Sequence, residues 1–314
     1  MTTPSSPQPQ AEARPARDRK LGFATRSAIT GWLLVLPVLL LLAGFLLVPL
    51  VQSIQYSFYD ASLIGEKGRY VGLANYTKVF ESGKIAGISG ITLLWTFGSL
   101  VGQLALGLAA ALTINQLQRG GRLFRSLLLL PYAVPAISLA LIWRWMFSDG
   151  TGILTFWLQS LSLFPANTSP LGSADAAIWL VVMANVWHGF PFAMLIYWAA
   201  LQQIDSSLYE AASLDGANAW QKFRYITLPS LSTATIALVV LRGIWTATSF
   251  DLPWLLTGGG PAGSTYVWPI WIYEEAMGFF RPGRAAVLAL MLGAAIGAVI
   301  FIFRRAIRAS LTTH

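Results

Sequence analysis

Six long apolar runs constrain the fold of this chain more than any other feature of its sequence. A helix needs about 20 apolar residues to cross a hydrocarbon layer of about 30 Å, and each run is close to that length. The runs are Trp32–Ile54, Ile91–Ile114, Phe124–Met146, Ala177–Leu201, Ala234–Leu256 and Ala285–Phe303. Backbone groups in lipid must be paired within the protein, and the short alternating segments of a membrane barrel are not seen. The sequence therefore predicts an all-α integral membrane protein with six transmembrane helices.

The low charge content excludes a soluble globular protein of this size. Only 11% of the 314 residues are charged and 55% are hydrophobic, whereas about 25% of residues are charged in an ordinary globular protein. The chain has no cysteine and only two histidines, His188 and His314. These counts exclude a disulfide framework, an iron–sulfur centre and a zinc site built from cysteines or several histidines, so no cofactor is expected.

Basic residues between the runs predict the orientation of the chain. Thirteen Lys and Arg residues flank the runs on the side that carries both termini, and six lie on the opposite side. Because Lys and Arg concentrate on the cytoplasmic side of membrane proteins, both termini are predicted to be cytoplasmic. The net charge of +8 follows this topology, so membrane lipid is an expected partner and nucleic acid is not.

Composition divides the chain into two parts. Residues 1–26 are rich in Pro, Ser, Ala and Arg without hydrophobic periodicity, which predicts a disordered basic cytoplasmic tail. Residues 27–314 are predicted to form one transmembrane domain. The first run is longer than the apolar core of a signal peptide and lacks a convincing cleavage site, so it is interpreted as a retained anchor.

Motifs for catalysis are missing from the sequence. The nearest approach to a phosphate loop, Gly83-Lys84-Ile85, lacks the hydroxyl residue and lies on the predicted external side. No Ser–His–Asp set or pair of carboxylates falls plausibly within the runs. The chain is therefore expected neither to hydrolyse ATP itself nor to act as an enzyme, and a membrane protease or transferase is the disfavoured alternative.

The predicted cytoplasmic loop at 205–229 is unusual for a connector. Its sequence predicts a short helix, a turn at Gly216 and a second short helix that ends at Pro229. Ala211, Ala212 and Ala217 are small and apolar where a solvated loop would be polar. They indicate a surface that docks in the cleft of a partner; a plain connector is the alternative.

This loop resembles the E-A-A…G…I-x-L-P loop of the permease subunits of binding-protein-dependent ABC importers. The matching residues are Glu210, Ala211, Ala212, Asp215, Gly216, Ala217, Ile226, Leu228 and Pro229. Three further segments are similar to the carbohydrate-type permeases of that family, particularly the maltose and trehalose type. They are Val71-Gly72-Leu73-Ala74-Asn75-Tyr76, Leu130-Pro131-Tyr132-Ala133-Val134-Pro135 and Leu256-Thr257-Gly258-Gly259-Gly260-Pro261.

The resemblance implies a type I importer permease in the inner membrane of a bacterium. It also implies the partners: a second permease in a heterodimer, two ATPase subunits that bind the ATP, and an extracytoplasmic solute-binding protein. The 205–229 loop would insert into the ATPase and transmit its closure to the spans, and the solute would be a sugar.

Polar and aromatic side chains share one face of the fourth run and one face of the fifth. The two sets are Asn185, His188, Gly189 and Phe192, and Arg242, Trp245, Thr246 and Ser249. Such stripes suit a sugar, because its hydroxyl groups need donors and acceptors while its apolar ring face lies on an aromatic side chain. The resemblance implies that all of these except His188 line the substrate pathway, since matching positions do so in maltose-type permeases. His188 is predicted there from its place on the same helix face.

Several alternatives remain at this point. His188 could make an interhelical hydrogen bond, and Arg242 could pair with a carboxylate of the partner permease. The same machinery could import a polyol or glycerol-phosphate-type solute, because Arg242 could meet a phosphate. A gradient-driven secondary transporter is less favoured, since the only mid-span ionisable residues are Arg242 and His188, with Asp251 nearer the outer end.

Overall fold

The computed structural model describes residues 23–60, 68–117, 121–165 and 168–312 of the chain. Most of the predicted tail therefore lies outside the described residues. In these ranges the chain forms the following helices: α1 (Phe23–Ser57), α2 (Ala74–Glu81), α3 (Ile85–Gln116), α4 (Gly121–Ala133), α5 (Ala136–Met146), α6 (Ile153–Ser160), α7 (Ala174–Leu201), α8 (Ser206–Leu214), α9 (Ala219–Lys222), α10 (Leu228–Ser230), α11 (Ser232–Ala247), α12 (Asp251–Thr257), α13 (Trp268–Tyr273) and α14 (Pro282–Thr312).

The chain divides into two compact units, residues 1–52 and residues 53–314. The first contains most of α1, which begins at Phe23, inside the predicted tail, and contains Pro37 and Pro49. The second contains every other helix and a short antiparallel pair, β1 (Tyr59–Asp60) and β2 (Arg69–Tyr70).

Four of the described helices, α1, α3, α7 and α14, are long and apolar enough to cross a membrane. Two further pairs of helices pass the same test together but are bent, which brings the number to six if each pair is one span. The first pair, α4 and α5, is bent by 92° next to Pro135, where the missing N–H interrupts the helix. In the second pair, the segment from α9 to α10 meets α11 at 60°. The prediction of an all-helical membrane protein is confirmed, with up to six spans.

The fifth predicted span, Ala234–Leu256, is wrong in its bounds. Helix α11 ends at Ala247, and α12 is a separate helix that begins at Asp251. The apolar run continues through this break, so a prediction from hydropathy alone combined α11 and α12 into one span. Pro229 also does not end the second helix of the loop, because a π-helical turn over Phe223–Thr227 precedes it and the chain remains helical to Ser230.

Glycines let α3 and α7 pack with their backbones close together. A Cβ on Gly102 would lie 2.5 Å from Val186, and one on Gly107 would lie 2.6 Å from the Cβ of Ala193. Small residues permit this approach in membrane proteins. Helix α7 continues through Pro191 without a break. Helices α3 and α7, with α11 against them, form the frame of the candidate site described below.

The Val71–Tyr76 segment has a structural role in the second unit. Asn75 is buried, and its Nδ2 donates to the carbonyl oxygens of Ser57 (3.0 Å) and Tyr59 (2.9 Å). Gly283, at the start of α14, lies against the same group and has no space for a Cβ. This motif therefore packs closely against the first turn of α14.

Candidate substrate pathway and coupling loop

A buried polar cluster joins α3, α7 and α11. Its centre is Gln103 of α3, which is 0% exposed. The Gln103 Nε2 donates to the backbone oxygen of Asn185 at 3.1 Å, and its Oε1 accepts from Nε of Arg242 at 2.8 Å. One amide therefore holds the fourth and fifth predicted spans to the second through hydrogen bonds that are strong in a low-dielectric interior.

Gly189 completes this cluster by its lack of a side chain. A Cβ there would collide with Nη2 of Arg242 and would lie 2.5 Å from Nε2 of Gln103. The space beside Gly189 is therefore the space that the guanidinium and the amide occupy. Three residues predicted for the pathway, Asn185, Gly189 and Arg242, are brought together here.

An aromatic group adjoins the polar cluster. Phe192 and Trp245 pack with ring centroids 5.3 Å apart, and Tyr132 stacks on both His188 (5.8 Å) and Phe192 (6.0 Å). Tyr132 and Trp245 are exposed in this subunit, at 41% and 46%. The Arg242 guanidinium carbon lies 5.7 Å from the centroid of the Trp245 ring. The arrangement presents aromatic faces next to buried hydrogen-bonding groups.

The bend between α4 and α5 lies against this aromatic group. Val134 follows α4, and its backbone lies close to the imidazole of His188. A break in a membrane helix frees carbonyl groups that neighbouring side chains can satisfy. His188 therefore lies between the bend and the aromatic group, where its ring stacks on Tyr132.

Thr246 and Ser249 are placed differently from the rest of the predicted stripe. Thr246 is 3% exposed, and its carbonyl oxygen accepts from Nε1 of the buried Trp95 at 2.9 Å. Ser249 lies after the end of α11, and its backbone N–H donates to the Thr246 carbonyl oxygen. Neither side chain makes a hydrogen bond with the polar cluster among the described residues.

Two residues of this site, Gln103 and Tyr132, were missed by the sequence prediction. Gln103 is a polar side chain inside a long apolar run, which in itself indicates an interior position, but the sequence prediction assigned polar residues to the pathway only in the fourth and fifth runs. Tyr132 belongs to the Leu130–Pro135 motif and was not assigned to the pathway. Its ring becomes part of the site because the bend follows it.

The loop at 205–229 forms two short helices with well-defined ends. Asp205 caps α8, and its Oδ1 accepts from the backbone N–H of Ser207 at 2.9 Å. This hydrogen bond lowers the pKa of Asp205. At the other end of the turn, Asn218 and Gln221 form a reciprocal capping box on α9.

Gly216 makes the turn between these helices. Its φ is +76°, a left-handed conformation that favours glycine. The backbone N–H of Gly216 donates to the Ser213 carbonyl, and that of Ala217 donates to the Ala212 carbonyl, the pattern of a Schellman motif. A Cβ on Gly216 would have none of the described residues within 4 Å, so the requirement for glycine comes from the backbone and not from a clash with this part of the chain.

Two side-chain bonds tie the halves of the loop together. The Lys222 Nζ donates to Oγ of Ser213 at 2.6 Å, and the hydroxyl groups of Tyr209 and Thr227 are 2.9 Å apart. The residues matched to the E-A-A pattern are spread along this hairpin: Glu210, Ala211 and Ala212 in α8, Asp215, Gly216 and Ala217 at the turn, and Ile226, Leu228 and Pro229 in the second half. Large apolar side chains are also exposed there, namely Leu214 (90%), Trp220 (69%) and Tyr225 (74%), which the sequence prediction did not include.

The sequence is similar to a known protein family and to individual transport proteins. Residues 103–312 match the family model described as binding-protein-dependent transport system inner membrane component. The chain is 35% identical over 286 residues to the inner membrane ABC transporter permease protein YcjO of Escherichia coli (strain K12), covering 90% of this chain and 96% of that protein. It is 36% identical over 241 residues to the trehalose/maltose transport system permease protein MalF of Thermococcus litoralis, covering 76% and 81%.

A solved structure has the same fold. It is a chain of a bacterial ABC transporter involved in the import of the acidic polysaccharide alginate, with a TM-score of 0.78 and 21% identity, covering 90% of this chain and 96% of that one. The apolar helices and these matches make the chain a multi-pass protein of the inner membrane, with a role in transport and not in enzymatic catalysis. It belongs to the family of inner membrane components of binding-protein-dependent transport systems, as a permease subunit of an ABC importer.

Proposed function

We propose that this permease imports a carbohydrate into the cytoplasm. The observation that carries the proposal is the side-by-side arrangement of aromatic rings (Tyr132, Phe192, Trp245) and buried hydrogen-bonding groups (Gln103, Arg242). A sugar ring has an apolar face that stacks on aromatic rings and hydroxyl groups that need polar partners. The trehalose/maltose permease of T. litoralis, similar over most of its length, supports the same substrate class.

The chain acts as one half of the pore in this proposal. A second permease completes a heterodimer, two ATPase subunits hydrolyse the ATP, and an extracytoplasmic solute-binding protein delivers the solute. Glu210–Pro229 is the ATPase-coupling loop, on the cytoplasmic side. Its hairpin of capped helices with exposed Leu214, Trp220 and Tyr225 supports this role, because a force-bearing contact needs a fixed shape and an apolar surface to bury.

Uptake measurements test the proposal. Cells that carry the complete importer are given a panel of labelled mono- and oligosaccharides and polyols, with and without an agent that depletes ATP. ATP-dependent uptake of a saccharide is expected, and Trp245→Ala is expected to lower it at least tenfold because the stacking face is lost. Trp145→Ala is the matched control, since Trp145 is also exposed and has no ring contact with the cluster among the described residues.

A polyol or a glycerol-phosphate-type solute is the second candidate, favoured by the cation Arg242 in the cluster. It predicts ATP-dependent uptake of the polyol or its phosphate and none of the saccharides. Uptake that survives ATP depletion would contradict both candidates.

A further inference from the structure

Arg242 is a buried cation with hydrogen-bond donors to spare. Its side chain is 6% exposed, and a charge in such a position is costly unless it is paired. Arginine carries five N–H donors. One of them, on Nε, is bound by the amide oxygen of Gln103 at 2.8 Å, and the ring of Trp245 lies 5.7 Å from the guanidinium carbon.

These neighbours are neutral. Among the described residues, no carboxylate lies within salt-bridge distance of Arg242. No atom of these residues accepts a hydrogen bond from Nη1 or Nη2 of Arg242. The amide oxygen of Gln103 fixes the Nε edge. The opposite edge of the guanidinium, the one with two parallel donors suited to an oxyanion, has no acceptor among the described residues.

Asn185 is a second, independent case of a buried donor that lacks a hydrogen-bond acceptor. It is 8% exposed, and its side-chain Nδ2 is enclosed without a hydrogen-bond acceptor among the described residues. Asn185 lies one helical turn before Gly189 on α7, at the position where Gln103 bonds its backbone. The cluster therefore has an excess of donors and lacks acceptors.

We propose that the solute carries an anionic group, a carboxylate or a phosphate, which the Nη edge of Arg242 binds during passage. The inference rests on the proposed function and narrows its substrate class to acidic or phosphorylated carbohydrates and polyols. Arg242 is the binding residue in this scheme. Gln103 is a positioning residue, because it touches the guanidinium and holds the free edge away from α3.

The test uses the complete importer, with both permeases, the ATPase subunits and the binding protein, reconstituted in proteoliposomes. The probes are matched pairs: disaccharides of galacturonate, glucuronate and mannuronate beside their carboxyl-reduced neutral forms, and glycerol 3-phosphate beside glycerol. Solute-stimulated ATP hydrolysis and uptake are measured for each pair. The two kinds of pair distinguish a carboxylate from a phosphate.

In the wild type, we expect one anionic probe to exceed its neutral counterpart at least tenfold. Gln103→Glu puts a carboxylate at the position that now holds a neutral amide, where it pairs with Arg242. We expect this variant to lose at least tenfold in uptake of the anion through a higher KM, and Arg242→Gln to behave in the same way. Arg242→Lys should retain part of the uptake, and Arg144→Gln, a change to an exposed arginine, should have no effect.

Three results would overturn the inference. If Arg242→Gln transports neutral saccharides as well as the wild type does, Arg242 does not bind an anionic group of the solute. The proposed carbohydrate function is not affected by that result. A second contrary result has two parts: the wild-type importer transports neutral solutes, and purified Arg242→Gln has lost the partner permease. That result would assign Arg242 to a carboxylate of the partner. If no probe of either charge is transported by the wild type, the proposed function itself fails, and this outcome is separate because it needs no variant.

Discussion

At the scale of single residues, Gly189 has no space for a side chain next to the polar cluster. Gly189→Ala would place a methyl group where Nη2 of Arg242 and Nε2 of Gln103 now lie. We expect it to displace the guanidinium, to abolish uptake, and to cost about 1–3 kcal/mol in unfolding free energy, as overpacking of an interior generally does. The measurements are uptake and the Tm of the purified complex.

Gly98→Ala is the control for this change. A Cβ on Gly98 would meet Trp179 and Val182 at 3.5 Å, which is ordinary van der Waals contact, in a transmembrane helix of the same subunit. Uptake and Tm should stay near the wild-type values. Equal behaviour of the two variants would show that the space beside Gly189 is not limiting.

Two neighbouring hydroxyl residues are expected to respond differently to the same substitution. Thr246 is buried under Trp95, so Thr246→Leu should lower the Tm of the complex through overpacking, with a cost of about 1–3 kcal/mol. Ser249 lies beyond the end of α11 and is half-exposed, so Ser249→Leu should leave the Tm unchanged. A lowered Tm in both variants would mean that Ser249 is also part of the packed interior.

At the scale of elements, the turn at Gly216 defines the hairpin proposed as the ATPase-coupling loop. A β-branched side chain disfavours a φ of +76° by about 1–2 kcal/mol, so Gly216→Val should loosen the angle between α8 and α9. Gly216→Asn should be tolerated, because Asn adopts the left-handed conformation more readily. Co-purification of the ATPase subunits and the amount of solute moved per ATP measure the effect.

The expected outcome is weaker ATPase binding, or hydrolysis uncoupled from uptake, in the valine variant only. Since no described residue lies within 4 Å of a Cβ on Gly216, loss of binding in the asparagine variant as well would indicate a partner surface directly against this residue. Full coupling in Gly216→Val would contradict the role of the turn.

The parts of the hairpin that were predictable are those encoded locally. A glycine turn between two short helices follows from Gly216, and the capping box from Asn218 and Gln221. The π-helical turn before Pro229 and the break after Ala247 are not encoded in this way. No turn or capping residue marks the π-helical turn in the sequence, and an apolar run continues through the break after Ala247.

The polar cluster shows the same limit for the candidate site. Helical spacing in the sequence was enough to group Asn185 with Gly189, because both lie on one helix. The bond from Arg242 to Gln103 joins residues 139 positions apart, and no local pattern connects them. Gln103 could have been found as an isolated amide in an apolar span, but its partners could not.

At the scale of the whole molecule, the orientation in the membrane is the prediction to test. The chain has no cysteine, so single introduced cysteines report directly to an impermeant thiol reagent. Leu214→Cys, in the exposed part of the coupling loop, should be protected in intact cells and labelled after permeabilisation. Thr151→Cys, in the exposed turn between α5 and α6, should be labelled in intact cells. The reverse labelling pattern would mean that the chain has the opposite orientation in the membrane.

The amide of Gln103 also sets how this subunit can change shape. With one hydrogen bond to α7 and another to α11, sliding either helix along α3 would break a bond in a place where water cannot replace it, at a cost of about 1–3 kcal/mol. A rotation that carries all three helices together breaks neither bond. We therefore expect the opening and closing of the pore to move this trio as one block, with the bend beside Pro135 as the place where the chain flexes around it.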